Sequence, residues 1–156
     1  TTTMERRKDG LRHTSWKGRF TGINKKPLFI VDGAHNAGAA DKMAESVRHY
    51  FNGKKLIYIM GVFADKEYKI VLEKTAHFAE KIYTIETPDN PRALPAEELA
   101  KAARVYNSSA ESTKSIKDAV EKAFSCAGDD ENSVILAFGS LSFIGALTDA
   151  VEEYVG

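Results

Sequence analysis

The chain has 156 residues and a mass of 17.2 kDa, the size of one domain with room for a real core. Its 22 lysines and arginines equal its 22 aspartates and glutamates, so it lacks the basic excess of domains that hold nucleic acid through phosphates. No apolar run approaches the roughly 20 residues that span a bilayer. The polar start TTTMERRKDG lacks the apolar stretch of a secretory signal, and the single cysteine, Cys126, excludes an internal disulfide or a multi-cysteine zinc site. With 43% hydrophobic and 28% charged residues, these features predict a soluble, cytoplasmic α/β or α+β domain.

Residues 1–14 are polar and basic without apolar periodicity, and read as a linker or tail. From Pro27 a repeating grammar sets in. Leu28–Val31 is a continuous apolar run, as in a strand buried on both faces. A helical pattern follows over Ala39–Tyr50, stopped by Asn52-Gly53. Leu56–Met60 reads as the next strand. Asp65 stands where it would cap a helix carrying Tyr68, Val71, Leu72 and Phe78 on its apolar face. Lys81–Glu86 reads as a strand, Ala96–Ala103 as a helix, and Arg104–Tyr106 as a short strand. Ser112–Ala127 reads as a helix, Val134–Phe138 as a last buried strand, and Leu141–Tyr154 as a last helix. Strands alternating with helices predict a mostly parallel sheet covered on both faces, an α/β architecture.

In such sheets ligands bind beyond the carboxyl ends of the strands. The first exit, Asp32-Gly33-Ala34-His35-Asn36, sets a carboxylate, an imidazole and an amide among small residues. Asp32 suits a ribose hydroxyl and His35 a base; equally, Asp32 ends a strand and Asn36 caps a helix. At the second exit, Gly61–Glu67, Asp65-Lys66 either faces a ligand or begins a solvated helix. The third, Thr87-Pro88-Asp89-Asn90-Pro91-Arg92-Ala93-Leu94-Pro95, is stiffened by prolines and presents Arg92 for bidentate capture of a carboxylate. At the last, Gly139-Ser140 offers backbone N–H groups and a hydroxyl to an anion, or an ordinary N-cap. Neither a G-x-G-x-x-G nor a G-x-x-x-x-G-K-[ST] loop occurs, so the chain lacks a main phosphate cradle. His13, His49 and His77 lack metal-ligand spacing.

Taken in order, these blocks resemble the C-terminal domain of the folylpolyglutamate synthases, including the bifunctional dihydrofolate synthases, in the Mur ligase superfamily. The resemblance rests on Trp16-Lys17-Gly18-Arg19-Phe20, Asp32-Gly33-Ala34-His35-Asn36, Gly61–Lys66, Thr87–Leu94 and Gly139–Gly145. Lys17 and Ala37 stand where the family usually has proline. The resemblance implies a three-layer αβα, Rossmann-like domain over 16–156, with 1–15 as an interdomain linker. It implies ligation of L-glutamate to a folate-type carboxylate through an acyl phosphate, driven by ATP with Mg2+. By the same resemblance Arg19 reaches the nucleotide phosphates, and Asp32, His35 and Asn36 the nucleoside. Asp89, Asn90, Arg92 and Ser140 are the glutamate candidates. The P-loop and the metal ligands belong in the family to an N-terminal ATPase domain, so the chain by itself is expected to turn over nothing. A free-standing nucleotide- or amino-acid-binding module is the alternative reading. A peptidoglycan-ligase fragment fits less well, because those enzymes vary both the D-G-A-H-N and N-P-R-A-L blocks.

Overall fold

In the computed structural model, residues 14–16 and 20–156 are described. Among these residues seven strands form one sheet: β1 (Thr14–Trp16), β2 (Phe20–Lys25), β3 (Leu28–Asp32), β4 (Lys55–Gly61), β5 (Lys81–Thr84), β6 (Glu111–Ser112) and β7 (Ser133–Gly139). Their spatial order is β1-β2-β3-β7-β4-β5-β6. The pairs from β3 to β6 are parallel, while β1–β2 and β2–β3 are antiparallel. Five helices of eight or more residues follow strands: α1 (Ala37–Tyr50), α2 (Tyr68–Thr75), α3 (Ala96–Arg104), α4 (Ile116–Ala127) and α5 (Ile144–Val155).

Successive side chains of a strand point to opposite faces, so an unbroken apolar run needs cover on both. Ile30, Leu56, Tyr58, Met60, Leu136 and Phe138 pack on one face, with Met43 and Val47 of α1, Leu72 of α2 and Leu99 of α3. Phe29, Val31, Ile57, Ile59, Ile135 and Ala137 pack on the other, with Val120 and Ala123 of α4 and Leu147 and Val151 of α5. The three-layer α/β expectation therefore holds. No helix of the described residues is long and apolar enough to cross a membrane.

Three local expectations are corrected. The antiparallel β1 and β2 extend the sheet where the sequence shows no strand signal; β2 buries Phe20 and Ile23, one toward each core. Thr14 and Ser15, assigned by sequence to the linker, belong to β1. Arg104–Tyr106 is not a strand. Arg104 ends α3, its Nε donates to the Ala110 carbonyl at 3.0 Å, and Val105 is 76% exposed. The strand β6 forms later, at Glu111–Ser112, beside β5. Helix α4 accordingly starts at Ile116 and not at Ser112, because Ser115 caps it by accepting from the Asp118 N–H at 3.0 Å.

Tyr58 ties α2 to the sheet. Its ring is fully buried edge-on against Phe138, and its hydroxyl donates to the Thr75 carbonyl at 2.8 Å. Burial pushes the hydroxyl pKa well above the ordinary tyrosine range. The unfolded chain therefore loses that proton first, and this contribution to stability is present below ~10 and fades as pH rises beyond it. Tyr58→Phe is expected to lower stability by about 1–2 kcal/mol at neutral pH, read as a fall in the urea midpoint with unchanged slope.

Candidate functional site

Three neighbouring strands, β3, β7 and β4, end together at Asp32, Gly139 and Gly61. The chain leaves β3 for the α1 face and leaves β7 for the α5 face. Adjacent strands whose connections diverge open a crevice between them. Asp32 sits at its edge, 9% exposed.

Gly139 has φ +118°, and a Cβ there would run into the Gly61 carbonyl oxygen. Glycine alone fits this close approach. The Ser140 N–H then donates to that same carbonyl at 2.8 Å. This corrects the expectation that the Ser140 N–H is offered to an anion: it is spent inside the sheet. The Ser140 hydroxyl shares a 2.7 Å hydrogen bond with that of Ser142.

The second and third exits are joined by backbone. The Ala64 N–H donates to the Arg92 carbonyl at 2.7 Å, and the Leu94 N–H to the Val62 carbonyl at 3.0 Å. Within the third exit, Asp89 adopts φ +56°, a left-handed conformation that Asp tolerates better than most residues. The Asn90 Oδ1 accepts from the Arg92 N–H at 2.9 Å. Asp89 and Asn90 thus shape the turn that carries Arg92.

Asp65 does not cap α2. The helix starts at Tyr68 with Glu67 at its N-cap, so Asp65 lies two residues too early. Its carboxylate instead accepts from Arg92 Nε at 3.2 Å and Nη2 at 3.1 Å. The Arg92 guanidinium hydrogen-bonds the Asp65 carboxyl and holds it below the usual range. The guanidinium carbon also lies 4.5 Å from the centroid of the Phe63 ring.

At the first exit, His35 Nδ1 lies 2.7 Å from the Gly33 carbonyl. A carbonyl only accepts, so Nδ1 carries the proton and Nε2 is left for a ligand. Asn36 caps α1 by accepting from the Ala39 N–H at 2.9 Å, and the Ala37 N–H donates to Glu67 Oε1 at 3.2 Å. These two N–H groups at the start of α1 therefore serve protein acceptors and not a phosphate.

A cavity of about 360 Å³ opens among these exits, lined by His35, Phe63, Lys66, Tyr68, Arg92, Ser140 and Ser142 over an apolar floor of Val62 and Val71. This is the small end of the range for ligand pockets. Among the described residues the lining holds two cations, Lys66 and Arg92, and three hydroxyls, on Tyr68, Ser140 and Ser142, but no carboxylate. Of the sequence candidates, His35, Arg92 and Ser140 meet here, while Asp32, Asn36, Asp89 and Asn90 support the rim without lining it. Arg19 lies outside the described residues. Phe63, Tyr68 and Ser142 were not singled out as site residues by sequence; the pairing of the second and third exits brings Phe63 in, and no local motif announces it. Among the described residues no group of three or more His, Cys, Asp or Glu is arranged to hold a metal ion.

Residues 18–141 match the family described as "Mur ligase, glutamate ligase domain". The chain belongs to this family. A dihydrofolate synthase/folylpolyglutamate synthase of Bacillus subtilis is 29% identical over 137 residues, which is 88% of this chain and 31% of that protein. The solved structure of Mycobacterium tuberculosis folylpolyglutamate synthase complexed with ADP and AMPPCP superimposes with a TM-score of 0.73 at 24% identity, covering 92% of this chain and 33% of the other. A bifunctional folylpolyglutamate synthase/dihydrofolate synthase with Mn, AMPPNP and L-glutamate bound gives a TM-score of 0.72 at 24% identity, covering 90% and 33%. The glutamate ligase domain here spans less than a third of the length of the curated relatives it matches.

Gly139→Ala is expected to lower the unfolding free energy by roughly 2–4 kcal/mol in urea denaturation, through strain and the forced separation of β7 from β4. Arg92→Ala is expected to return the Asp65 carboxyl to the ordinary range near 3.8, read from its side-chain carbon shift against pH.

Proposed function

We propose that this glutamate ligase domain is the C-terminal lobe of an ATP-dependent ligase that joins L-glutamate to a folate-type carboxylate. The observation that carries this reading is the cavity at the β3/β7/β4 switch point, where Arg92, Ser140 and His35 converge from three separate loops. A described lining of cations and hydroxyls, with no carboxylate among its residues, suits an anionic amino acid. The relatives' folylpolyglutamate and dihydrofolate synthase names support the substrate class.

In this reading the folate-type carboxylate takes the γ-phosphoryl group of ATP and becomes an acyl phosphate. The glutamate amine attacks the acyl carbon, the C–N bond forms, the C–O bond to phosphate breaks, and the amine gives up a proton. The domain contributes position and charge neutralisation. Arg92 and Ser140 hold glutamate carboxylate oxygens, with Asp89 and Asn90 fixing the loop behind Arg92. Asp32 receives a ribose hydroxyl, His35 meets the base, Asn36 orders the start of α1 beside them, and Arg19 reaches the phosphates.

ATP phosphates and Mg2+ need a cradle and a metal cage. The start of α1 spends two N–H groups on Asn36 and Glu67, and the described residues offer no metal-holding cluster. In our reading both tasks fall to an N-terminal P-loop domain of the same parent chain, as the likeness to the folylpolyglutamate synthases suggests. Cytoplasmic location belongs to the same reading.

The test is an assay of the full-length gene product with ATP and L-glutamate, using tetrahydrofolate and dihydropteroate in turn. The expected result is glutamate addition to at least one, with none by the 156-residue chain alone. In the full-length product, Arg92→Ala is expected to raise the KM for glutamate about tenfold or more, and His35→Ala that for ATP. Unchanged values for both would remove these assignments.

A further inference from the structure

Arg92 is expected from sequence to grip a ligand carboxylate, yet in the folded chain its guanidinium already has a carboxylate partner. Asp65 takes the Nε proton and one Nη2 proton, at 3.2 and 3.1 Å. A guanidinium carries five N–H groups in a fixed planar fork. Two are engaged by Asp65. The remaining three, two on Nη1 and one on Nη2, include the pair along the outer edge, which matches a second carboxylate bidentately.

The rest of the surroundings act in the same sense. Phe63 lies under the guanidinium carbon at 4.5 Å and removes one face from solvent. The backbone bond from Ala64 to the Arg92 carbonyl sets the residue before Asp65 against Arg92. Asn90 holds the Arg92 N–H. The base of the side chain is thus fixed by backbone, and its far end by Asp65 and Phe63. Arg92 nevertheless lines the cavity, as does Lys66, the residue after Asp65. Asp65 itself does not line it.

We propose that Asp65 is a positioning residue: it occupies the Nε–Nη2 edge of Arg92 so that the Nη1–Nη2 edge is presented, pre-oriented, to a carboxylate of the amino-acid substrate in the cavity. This rests on the glutamate reading of the cavity. It opposes the other use of the same contact, in which Asp65 mimics the substrate carboxylate and must be displaced. The two uses predict opposite signs. As a positioner, Asp65 spares the ligand the cost of ordering a long side chain, so its loss weakens glutamate binding. As a mimic it competes, so its loss tightens binding.

The pair is exposed, with side chains 47% and 58% accessible, so its removal does little to folding. The experiment compares Asp65→Ala, Asp65→Asn and Arg92→Ala with the wild type in the full-length gene product. It measures the KM for L-glutamate, the KM for ATP and kcat. Alongside, the Arg92 Nε–H resonance is followed by NMR in the 156-residue chain. The expected result is a roughly 2- to 12-fold rise in the glutamate KM for Asp65→Ala, the cost of ordering one long side chain, with the ATP KM unchanged. Asp65→Asn keeps one acceptor and is expected to fall between. The Arg92 Nε–H signal is expected to exchange slowly in wild type and fast in Asp65→Ala. An unchanged or lower glutamate KM in Asp65→Ala, while Arg92→Ala still raises it, overturns the positioning role and leaves the glutamate reading standing. A glutamate KM indifferent to Arg92→Ala, or no glutamate ligation at all, overturns both.

Discussion

The approach of Gly139 to the Gly61 carbonyl is the constraint on which the site depends. β7 enters the sheet last in sequence yet lies between β3 and β4. Its register with β4 ends on the pair Gly61–Gly139. Beyond that pair the Ser140 N–H still donates to the Gly61 carbonyl, which brings the last exit against the second. A side chain at either glycine meets an obstacle: the Gly61 carbonyl at one, the Ile85 side chain at the other. Two glycines therefore hold the mouths of β4 and β7 close enough for Val62, Phe63, Ser140 and Ser142 to share one cavity.

The site is assembled from loops, but the loops are not independent. Hydrogen bonds between Val62 and Leu94 and between Ala64 and Arg92 make the second and third exits a small ladder above the sheet. At the start of α1 the Ala37 and Ala39 N–H groups are taken by Glu67 and Asn36. What remains at the switch point is a small cavity whose described lining presents Lys66, Arg92 and three hydroxyls and no carboxylate.

Much of the parallel sheet was legible because burial on both faces leaves an unmistakable trace. Leu28–Val31, Leu56–Met60 and Val134–Phe138 are continuous apolar runs, and the structure makes each a strand within a residue or two. The amphipathic helices were legible for the corresponding reason, one apolar stripe each. The misses share a cause as well. β1 and β6 are the edge strands, each paired with a single neighbour and only three and two residues long, and β2, between β1 and β3, fully buries only Phe20 and Ile23, too few for an apolar run. Arg104–Tyr106 carries β-forming residues, but Arg104 bonds back to Ala110 and leaves Val105 in solvent.

The sequence by itself determined the α/β class, the strand exits, the family, and the residue types offered for chemistry: Asp32, His35, Arg92 and Ser140. These are local or periodic properties, written in runs of neighbouring residues. Only the tertiary structure decided which of those groups stay available. It spent the Ser140 N–H on Gly61 and one edge of Arg92 on Asp65, twenty-seven residues away in the chain. Hydrogen-bond partners of that kind are set by strand order and loop pairing, and no local pattern encodes them.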